Sequence, residues 1–110
     1  MNNLDKLPSK NILSLFMTCG FPSLSQSRKV FQTIQNNQPH IIEFGLPFSD
    51  PMADGLVIQE ANKLALKKSL STNQSINLIK SVAKNKGDTS YVIMCYINTV
   101  IKYGVSQFIK

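Results

Sequence analysis

The chain has 110 residues, of which 43% are hydrophobic and 16% are charged, and its formal net charge is +6. This apolar fraction is too high for a disordered chain, and the length favours one domain with its own core. No stretch approaches the roughly 18 consecutive apolar residues of a membrane-spanning helix. The first ten residues resemble neither a secretory signal nor an arginine-rich transit peptide. The composition therefore predicts an intracellular globular protein without a membrane partner.

The positive charge does not by itself predict a nucleic-acid partner. The lysines are spread along the chain, and no aromatic residues are interleaved with the densest spots, Lys67–Lys68 and Lys84/Lys86. A nucleic-acid-binding surface usually shows clustered lysine and arginine together with a recognisable motif. We therefore expect no nucleic-acid partner, whereas an anionic small substrate is compatible with the charge.

Hydrophobic periodicity and turn residues predict an alternation of strands and helices. In chain order the predicted elements are a helical turn at 4–7, a strand at 11–19, a helix at 24–36, a turn at 36–39, a strand at 41–44, a loop at 47–55, a helix from 57 to about 68, a helix from 72 to 85, a turn at 86–88, a strand at 91–97, a loop or short helix at 98–104 and the start of a helix at 105–110. Ser23 with Gln26, and Ser71 with Gln74, have the spacing of a capping box at a helix start.

The three predicted strands are short apolar runs, which is typical of strands buried on both faces. Strands that alternate with amphipathic helices predict an α/β fold with a parallel sheet built from βα units. In such sheets the loops after the carboxyl ends of the strands carry the chemistry. The segments 18–22, 43–55 and 96–104 are therefore the places to search for a site.

Glu43 is a carboxylate inside an otherwise apolar strand, between Ile42 and Phe44. Burial at such a position would remove water from the carboxylate and raise its pKa. That is how a glutamate becomes a general acid or base near neutral pH. The alternative is a strand-end glutamate that pairs with a lysine or caps a neighbouring helix, and the pattern alone leaves both interpretations open.

Two aspartates follow Glu43 in the loop 47–55. Asp54 is near enough to Glu43 for a folded loop to present both carboxylates to one ligand. Asp50 precedes a proline, which favours an Asx-type turn, and Asp54 precedes a glycine, which is also typical of a helix N-cap. No histidine or cysteine lies near these acids at ligand spacing, so no metal site is predicted. We expect His40 to be an exposed loop residue.

Further polar or reactive residues end the predicted strands. Cys19 and Cys95 are expected to be buried thiols, because neither has a nearby histidine that would activate a nucleophile. Tyr96 and Asn98 have the spacing that puts both side chains on one face of a strand. They could line a pocket or form a polar strand end.

The segment 42–59, IEFGLPFSDPMADGLVIQ, closely resembles the signature of the tryptophan synthase alpha chain family. The matching positions are Glu43, Gly45, Pro47, Phe48, Ser49, Asp50, Pro51, Ala53, Asp54, Gly55, Ile58 and Gln59. Phe16-x-Thr18-x-Gly20-x-Pro22 and Tyr96-x-Asn98 agree with the family's first and third strand ends in order and spacing. Leu56 and Phe21 depart from the pattern, at positions that bear on loop stiffness and on the pocket edge.

The resemblance implies the N-terminal portion, about three βα units, of a TIM (β/α)8 barrel. It also implies a lyase of L-tryptophan biosynthesis, which cleaves indole-3-glycerol phosphate by a retro-aldol reaction to indole and glyceraldehyde 3-phosphate. By resemblance, Glu43 is the acid/base that protonates the indole carbon and removes the glycerol hydroxyl proton. Asp54 binds the indole N–H and stabilises the positive charge that develops there. Phe16, Met94 and Tyr96 fall where the family lines its indole pocket.

The resemblance also implies a partner protein. Pro47 and Asp50 fall in a loop that faces the beta subunit in this family, within an alpha2-beta2 heterotetramer. Pyridoxal phosphate belongs to that beta subunit, so we expect no cofactor in this chain.

The length of the chain is short for a complete barrel, which needs about 250 residues. We therefore expect residues 1–110 to form a single partial domain that is marginally folded and inactive by itself, because the phosphate site of such barrels is built after strands seven and eight. The alternative is a truncated, non-catalytic product that retains only the loop facing the beta subunit. The residue bias fits either a plastid-encoded gene or a bacterial cytoplasmic protein.

Overall fold

Three parallel strands and the helices between them make up the residues that this computed structural model describes, 3–49, 53–67 and 70–109. The elements are a 3-10 helix Asn3–Lys6, β1 (Ser14–Thr18), α1 (Leu24–Asn36), β2 (Ile41–Gly45), α2 (Leu56–Lys67), α3 (Thr72–Ala83), β3 (Ser90–Met94), α4 (Ile97–Tyr103) and α5 (Val105–Ile109). No helix within these ranges is both long enough and apolar enough to cross a membrane.

The sheet has the order β1-β2-β3, and both pairings are parallel. Parallel neighbours need crossover connections, which α1 supplies between β1 and β2, and α2 with α3 supply between β2 and β3. In the register, Glu43 lies between Phe16 of β1 and Val92 of β3. The predicted alternation of strands and helices and the parallel sheet are confirmed.

The hydrophobic core lies on the face of the sheet that carries the even-numbered residues of β2. Ile42 and Phe44 are fully buried there, together with Phe31 of α1 and Leu78 of α3. The rings of Phe31 and Phe44 stack with their centroids 4.5 Å apart. Because side chains alternate along a strand, the odd-numbered residues of β2, including Glu43, lie on the opposite face.

A buried polar network ties the start of β3 to α1. The Gln35 amide donates to the Lys86 carbonyl over 2.8 Å, and its carbonyl oxygen accepts from the Tyr91 hydroxyl. The Thr89 hydroxyl donates to the Pro39 carbonyl over 2.9 Å. Burial raises the pKa of Tyr91 to about 12, so the phenol stays protonated and remains a donor in this network.

The two predicted capping boxes differ in the structure. At the start of α3, the Gln74 amide donates to the Ser71 hydroxyl over 3.1 Å, and the Ser71 amide donates to the Gln74 side chain over 2.8 Å. The predicted reciprocal box is therefore confirmed there. At the start of α1, Ser23 accepts from the Gln26 amide over 3.3 Å, but its hydroxyl also donates to the Gln26 side chain. Only half of that box is formed.

The predicted extent and burial of the first strand were wrong. β1 begins at Ser14 because Asn11 has a φ of 62°, a left-handed conformation that does not continue a strand. Leu15, Phe16 and Met17 are only half-buried, because β1 lies at the edge of the described sheet. The expectation of burial on both faces therefore fails for this strand.

The predicted third strand, 91–97, was also placed too far along the chain. β3 ends at Met94, and Tyr96 is the N-cap residue of α4, which runs to Tyr103. Since Asn98 is helical, the predicted shared strand face of Tyr96 and Asn98 does not exist. The helix α3 likewise ends at Ala83, two residues earlier than predicted.

His40 is not the exposed loop residue that the sequence predicted. It is half-buried just before β2, and its Nδ1 accepts a hydrogen bond of 3.0 Å from the Leu13 amide. The imidazole therefore joins the segments that lead into β1 and β2.

We expect Gln35→Ala to lower the free energy of unfolding by about 3 kcal/mol, because the substitution leaves buried partners without hydrogen bonds. Urea unfolding followed by circular dichroism measures this loss. Gln32→Ala is the matched control, since Gln32 is exposed on the same helix, and it should change stability by no more than about 0.5 kcal/mol. Equal losses in the two variants would contradict the role of the network.

Candidate functional site

A cleft of about 200 Å³ opens at the carboxyl ends of the strands. The sheet side of the cleft is lined by Phe16, Gly45 and Met94, and the opposite side by Asp54, Asn62 and Tyr96. Four of the residues that the sequence singled out, Phe16, Asp54, Met94 and Tyr96, therefore meet at one place. Its walls are mainly apolar, with one carboxylate and one buried amide among them, the pattern that small-molecule sites show.

Gly45 sets the floor of the cleft. A Cβ atom at this position would lie 2.6 Å from Cζ of Phe16, much closer than two carbon atoms can approach. Because Gly45 has no side chain, the Phe16 ring of β1 can lie over β2 at this position. The ring forms the apolar surface on which a planar ligand would rest.

The Asp54 carboxylate faces side chains that line the cleft. Its Oδ2 accepts from the Tyr96 hydroxyl over 3.4 Å and from the Asn62 amide over 3.5 Å, both long hydrogen bonds. Among residues 53–67, no first-turn amide of α2 donates to this carboxylate, so the N-cap alternative is not what the structure shows. Oδ1 has no partner among the described residues, which leaves one carboxylate oxygen available to a ligand.

Tyr96 lines the cleft and also contacts the loop, at Phe48 before residues 50–52 and at Ala53 and Asp54 after them. Its hydroxyl accepts a hydrogen bond of 3.1 Å from the Ala53 amide and donates to Asp54. Its ring stacks on Phe48, with centroids 4.8 Å apart and an interplanar angle of 17°. The same side chain thus lines the cleft and orders the turn that presents Asp54.

Glu43 lies on the same face of the sheet, beside the floor of the cleft but not among its lining residues. It pairs in register with Phe16 and precedes Gly45 by two positions. The side chain is half-buried, so the desolvation expected of an apolar strand is only partial. Its Oε1 accepts a short hydrogen bond of 2.6 Å from the Ser14 hydroxyl. In the described part of the chain, its partner is therefore a serine and not the lysine or helix terminus of the alternative interpretation.

The two residues predicted to face a partner cannot be placed together. Pro47 lines a separate cavity of about 500 Å³, whose wall also includes Leu66, Leu70 and Tyr103. Asp50 lies outside the described residues. The structure therefore separates Pro47 from the cleft that holds Asp54.

The expectation of a buried thiol is confirmed for Cys19 but not for Cys95. Cys19 is fully buried, and burial raises the pKa of its thiol to about 12, so it is protonated and inert at neutral pH. Cys95 is half-buried at the edge of the cleft, and burial also raises the pKa of its thiol. In residues 3–49, 53–67 and 70–109, no three acidic, histidine or cysteine side chains form a cluster that could hold a metal ion.

Sequence reasoning missed two residues of this arrangement, Asn62 and Ser14. Asn62 is 4% exposed, and its spacing from Ile58 and Ala65 places an amide on the buried stripe of α2. That signal, a polar residue at an apolar position of a helix, was available from the sequence. Ser14 gave no comparable signal, because its importance comes from its cross-strand position relative to Glu43.

Comparisons with known proteins identify the family that this arrangement resembles. The family described as "Tryptophan synthase alpha chain" matches residues 3–110. A tryptophan synthase alpha chain from Christiangramia forsetii is 36% identical over 99 residues, which are 90% of this chain and 38% of the relative. The chain thus spans about two-fifths of the length of the curated relatives it matches.

Solved structures agree with this comparison. The crystal structure of tryptophan synthase subunit alpha from Legionella pneumophila has a TM-score of 0.88 at 32% identity, over 98% of this chain and 44% of that one. The tryptophan synthase complex from Pyrococcus furiosus has a TM-score of 0.79 at 32% identity, over 89% of this chain and 40% of that one.

We expect Tyr96→Phe to speed hydrogen exchange of the Ala53 amide about fivefold, because that amide loses its acceptor while the ring can still stack on Phe48. Hydrogen exchange followed by NMR measures the change. Tyr103→Phe is the control, since its hydroxyl contacts Asn73 and not the loop. An Ala53 exchange rate that is the same in both variants would show that the Tyr96 hydroxyl does not order this turn.

Proposed function

The chain belongs to the tryptophan synthase alpha chain family, and on that premise we propose that it supplies the catalytic carboxylates of a lyase. The reaction is the retro-aldol cleavage of indole-3-glycerol phosphate to indole and glyceraldehyde 3-phosphate. The observation that carries the proposal is the cleft, in which Asp54 stands among Phe16, Met94 and Tyr96 at the carboxyl ends of parallel strands, beside Glu43.

The apolar walls of the cleft fit the indole ring of this substrate. The ring would lie between Phe16 and Tyr96, and its N–H would donate to Oδ1 of Asp54, which no described residue binds. Positive charge develops on this nitrogen when C3 of the ring is protonated, because the nitrogen then forms an iminium double bond to C2. A carboxylate already fixed in place stabilises that charge in the transition state without rearranging.

Glu43 supplies the proton traffic in this proposal. Protonation at C3 of the indole interrupts its aromatic conjugation, and the hydroxyl of the adjacent glycerol carbon loses its proton to a base. The bond between the two carbons then breaks, its electron pair returns to the indole ring, and the hydroxyl carbon becomes the aldehyde. One proton is given and one is taken, so a single carboxyl group can serve as acid and base. These steps do not require a cofactor bound to this chain.

We further propose that the segment containing Pro47 and Asp50 faces a beta subunit in an alpha2-beta2 heterotetramer. Support comes from the structural similarity to a tryptophan synthase complex and from the position of Pro47 outside the catalytic cleft. Bacterial relatives such as that of Christiangramia forsetii support a cytoplasmic location over a plastid one. The expectation that residues 1–110 are inactive by themselves stays a prediction.

We expect Glu43→Gln to lower kcat for indole release at least a thousandfold, within the range that loss of a general acid or base produces. The substitution is made in the alpha chain that carries these residues, and binding of indole-3-glycerol phosphate should remain near normal. Glu60→Gln, an exposed carboxylate on α2, is the matched control and should keep full activity. A Glu43→Gln enzyme within tenfold of the parent would overturn the assignment.

We expect Asp54→Asn to lower the rate about a hundredfold, because an amide keeps the shape of the carboxylate but not the charge that stabilises the ring nitrogen. Steady-state kinetics of indole release measure this loss. Asp88→Asn, which removes an exposed charge near Lys6, controls for the change of net charge. An unchanged rate in Asp54→Asn would leave Asp54 with only a structural part in the loop.

A further inference from the structure

The proposed reaction gives no role to Ser14, although its hydroxyl makes a short hydrogen bond to Glu43. The Ser14 hydroxyl donates to Oε1 of Glu43 over 2.6 Å, within the range of a strong bond from a hydroxyl to a carboxylate. The sheet explains the contact. Ser14 pairs in register with Ile41, and Phe16 pairs with Glu43, so Ser14 lies diagonally across from Glu43 on the same face.

This bond restrains a side chain that otherwise has several conformations. A glutamate loses up to roughly 2 kcal/mol of rotamer freedom when it is fixed, and in the described residues no other hydrogen bond to the Glu43 carboxylate exists besides that from Ser14. One carboxylate oxygen is therefore held from β1, and no described residue binds Oε2. A group that must give and take protons at defined atoms needs this kind of orientation.

We propose that Ser14 is a positioning residue for the acid/base Glu43. It is not among the residues that line the cleft, and it acts through the carboxylate that it holds. The inference rests on the proposed function of Glu43, because the orientation of the carboxylate matters to the reaction only if Glu43 is its acid/base. It goes beyond that function by naming the group on β1 that orients the carboxylate.

Ser90 of β3 provides a matched control for this inference. Ser90 of β3 pairs with Ile41 from the other side, as Ser14 does from β1. Its hydroxyl is buried and makes no hydrogen bond to any residue that the structure describes. Two serines therefore flank Ile41, each lying diagonally across from Glu43, and only Ser14 binds the carboxylate.

The test compares Ser14→Ala, Ser14→Thr and Ser90→Ala in the alpha chain that carries these residues. We expect Ser14→Ala to lower kcat about tenfold, the size expected for one hydrogen bond to a charged group, with KM changed less than twofold. Ser14→Thr keeps a hydroxyl and should restore kcat to within threefold. Ser90→Ala should leave kcat and KM unchanged.

An NMR measurement separates positioning from a general loss of structure. The 13C resonance of the Glu43 carboxyl carbon should move in Ser14→Ala, return in Ser14→Thr, and stay in place in Ser90→Ala. If Ser14→Ala keeps full kcat while Glu43→Gln is inactive, the role of Ser14 is wrong and the proposed function stands. If Glu43→Gln is itself active, the proposed function of Glu43 is wrong, and the inference about Ser14 is overturned with it. Equal losses in Ser14→Ala and Ser90→Ala would also overturn the inference.

Discussion

The strict alternation of side chains along β2 is the constraint on which the rest of this structure depends. Ile42 and Phe44 point to the helices and are fully buried, which anchors the sheet to α1 and α3. The same alternation sends Glu43 and Gly45 to the other face. A shift of one residue in the pairing would exchange the two faces, placing a carboxylate in the core and two large apolar side chains in the cleft. The strand register therefore fixes both the packing of the core and the position of Glu43.

The other carboxylate depends on contacts that are distant in sequence. Tyr96, which lies beyond the end of β3, holds the turn that presents Asp54. Its hydroxyl binds the Ala53 amide and the Asp54 carboxylate, and its ring stacks on Phe48. The buried Gln35 network fixes where β3 begins, because it joins α1 to the turn that leads into that strand. The two carboxylates thus owe their positions to different forces, one to strand register and the other to a hydrogen-bonded and stacked tyrosine.

Local patterns predicted the elements well and their mutual contacts poorly. The helix over 24–36 and the capping box at Ser71 follow from spacing within one segment, and both are confirmed. The third strand was placed too far along because Tyr91 to Ile97 is apolar throughout, and nothing local reveals that Tyr96 leaves the sheet to stack on Phe48. The contact between Ser14 and Glu43 joins two strands, so no local pattern could have found it. The family signature located the cleft residues because it records the outcome of such contacts.

The missing side chain at Gly45 determines how this cleft can be remodelled. Because the Phe16 ring occupies the space that a Cβ at Gly45 would need, residue 45 on β2 offers no room for change. The depth of the cleft is instead controlled from the neighbouring strand, where a smaller residue than Phe16 would lower the floor without disturbing the pairing of β2. Attempts to fit a larger aromatic ligand should therefore begin at β1, and leave β2 with its core contacts intact.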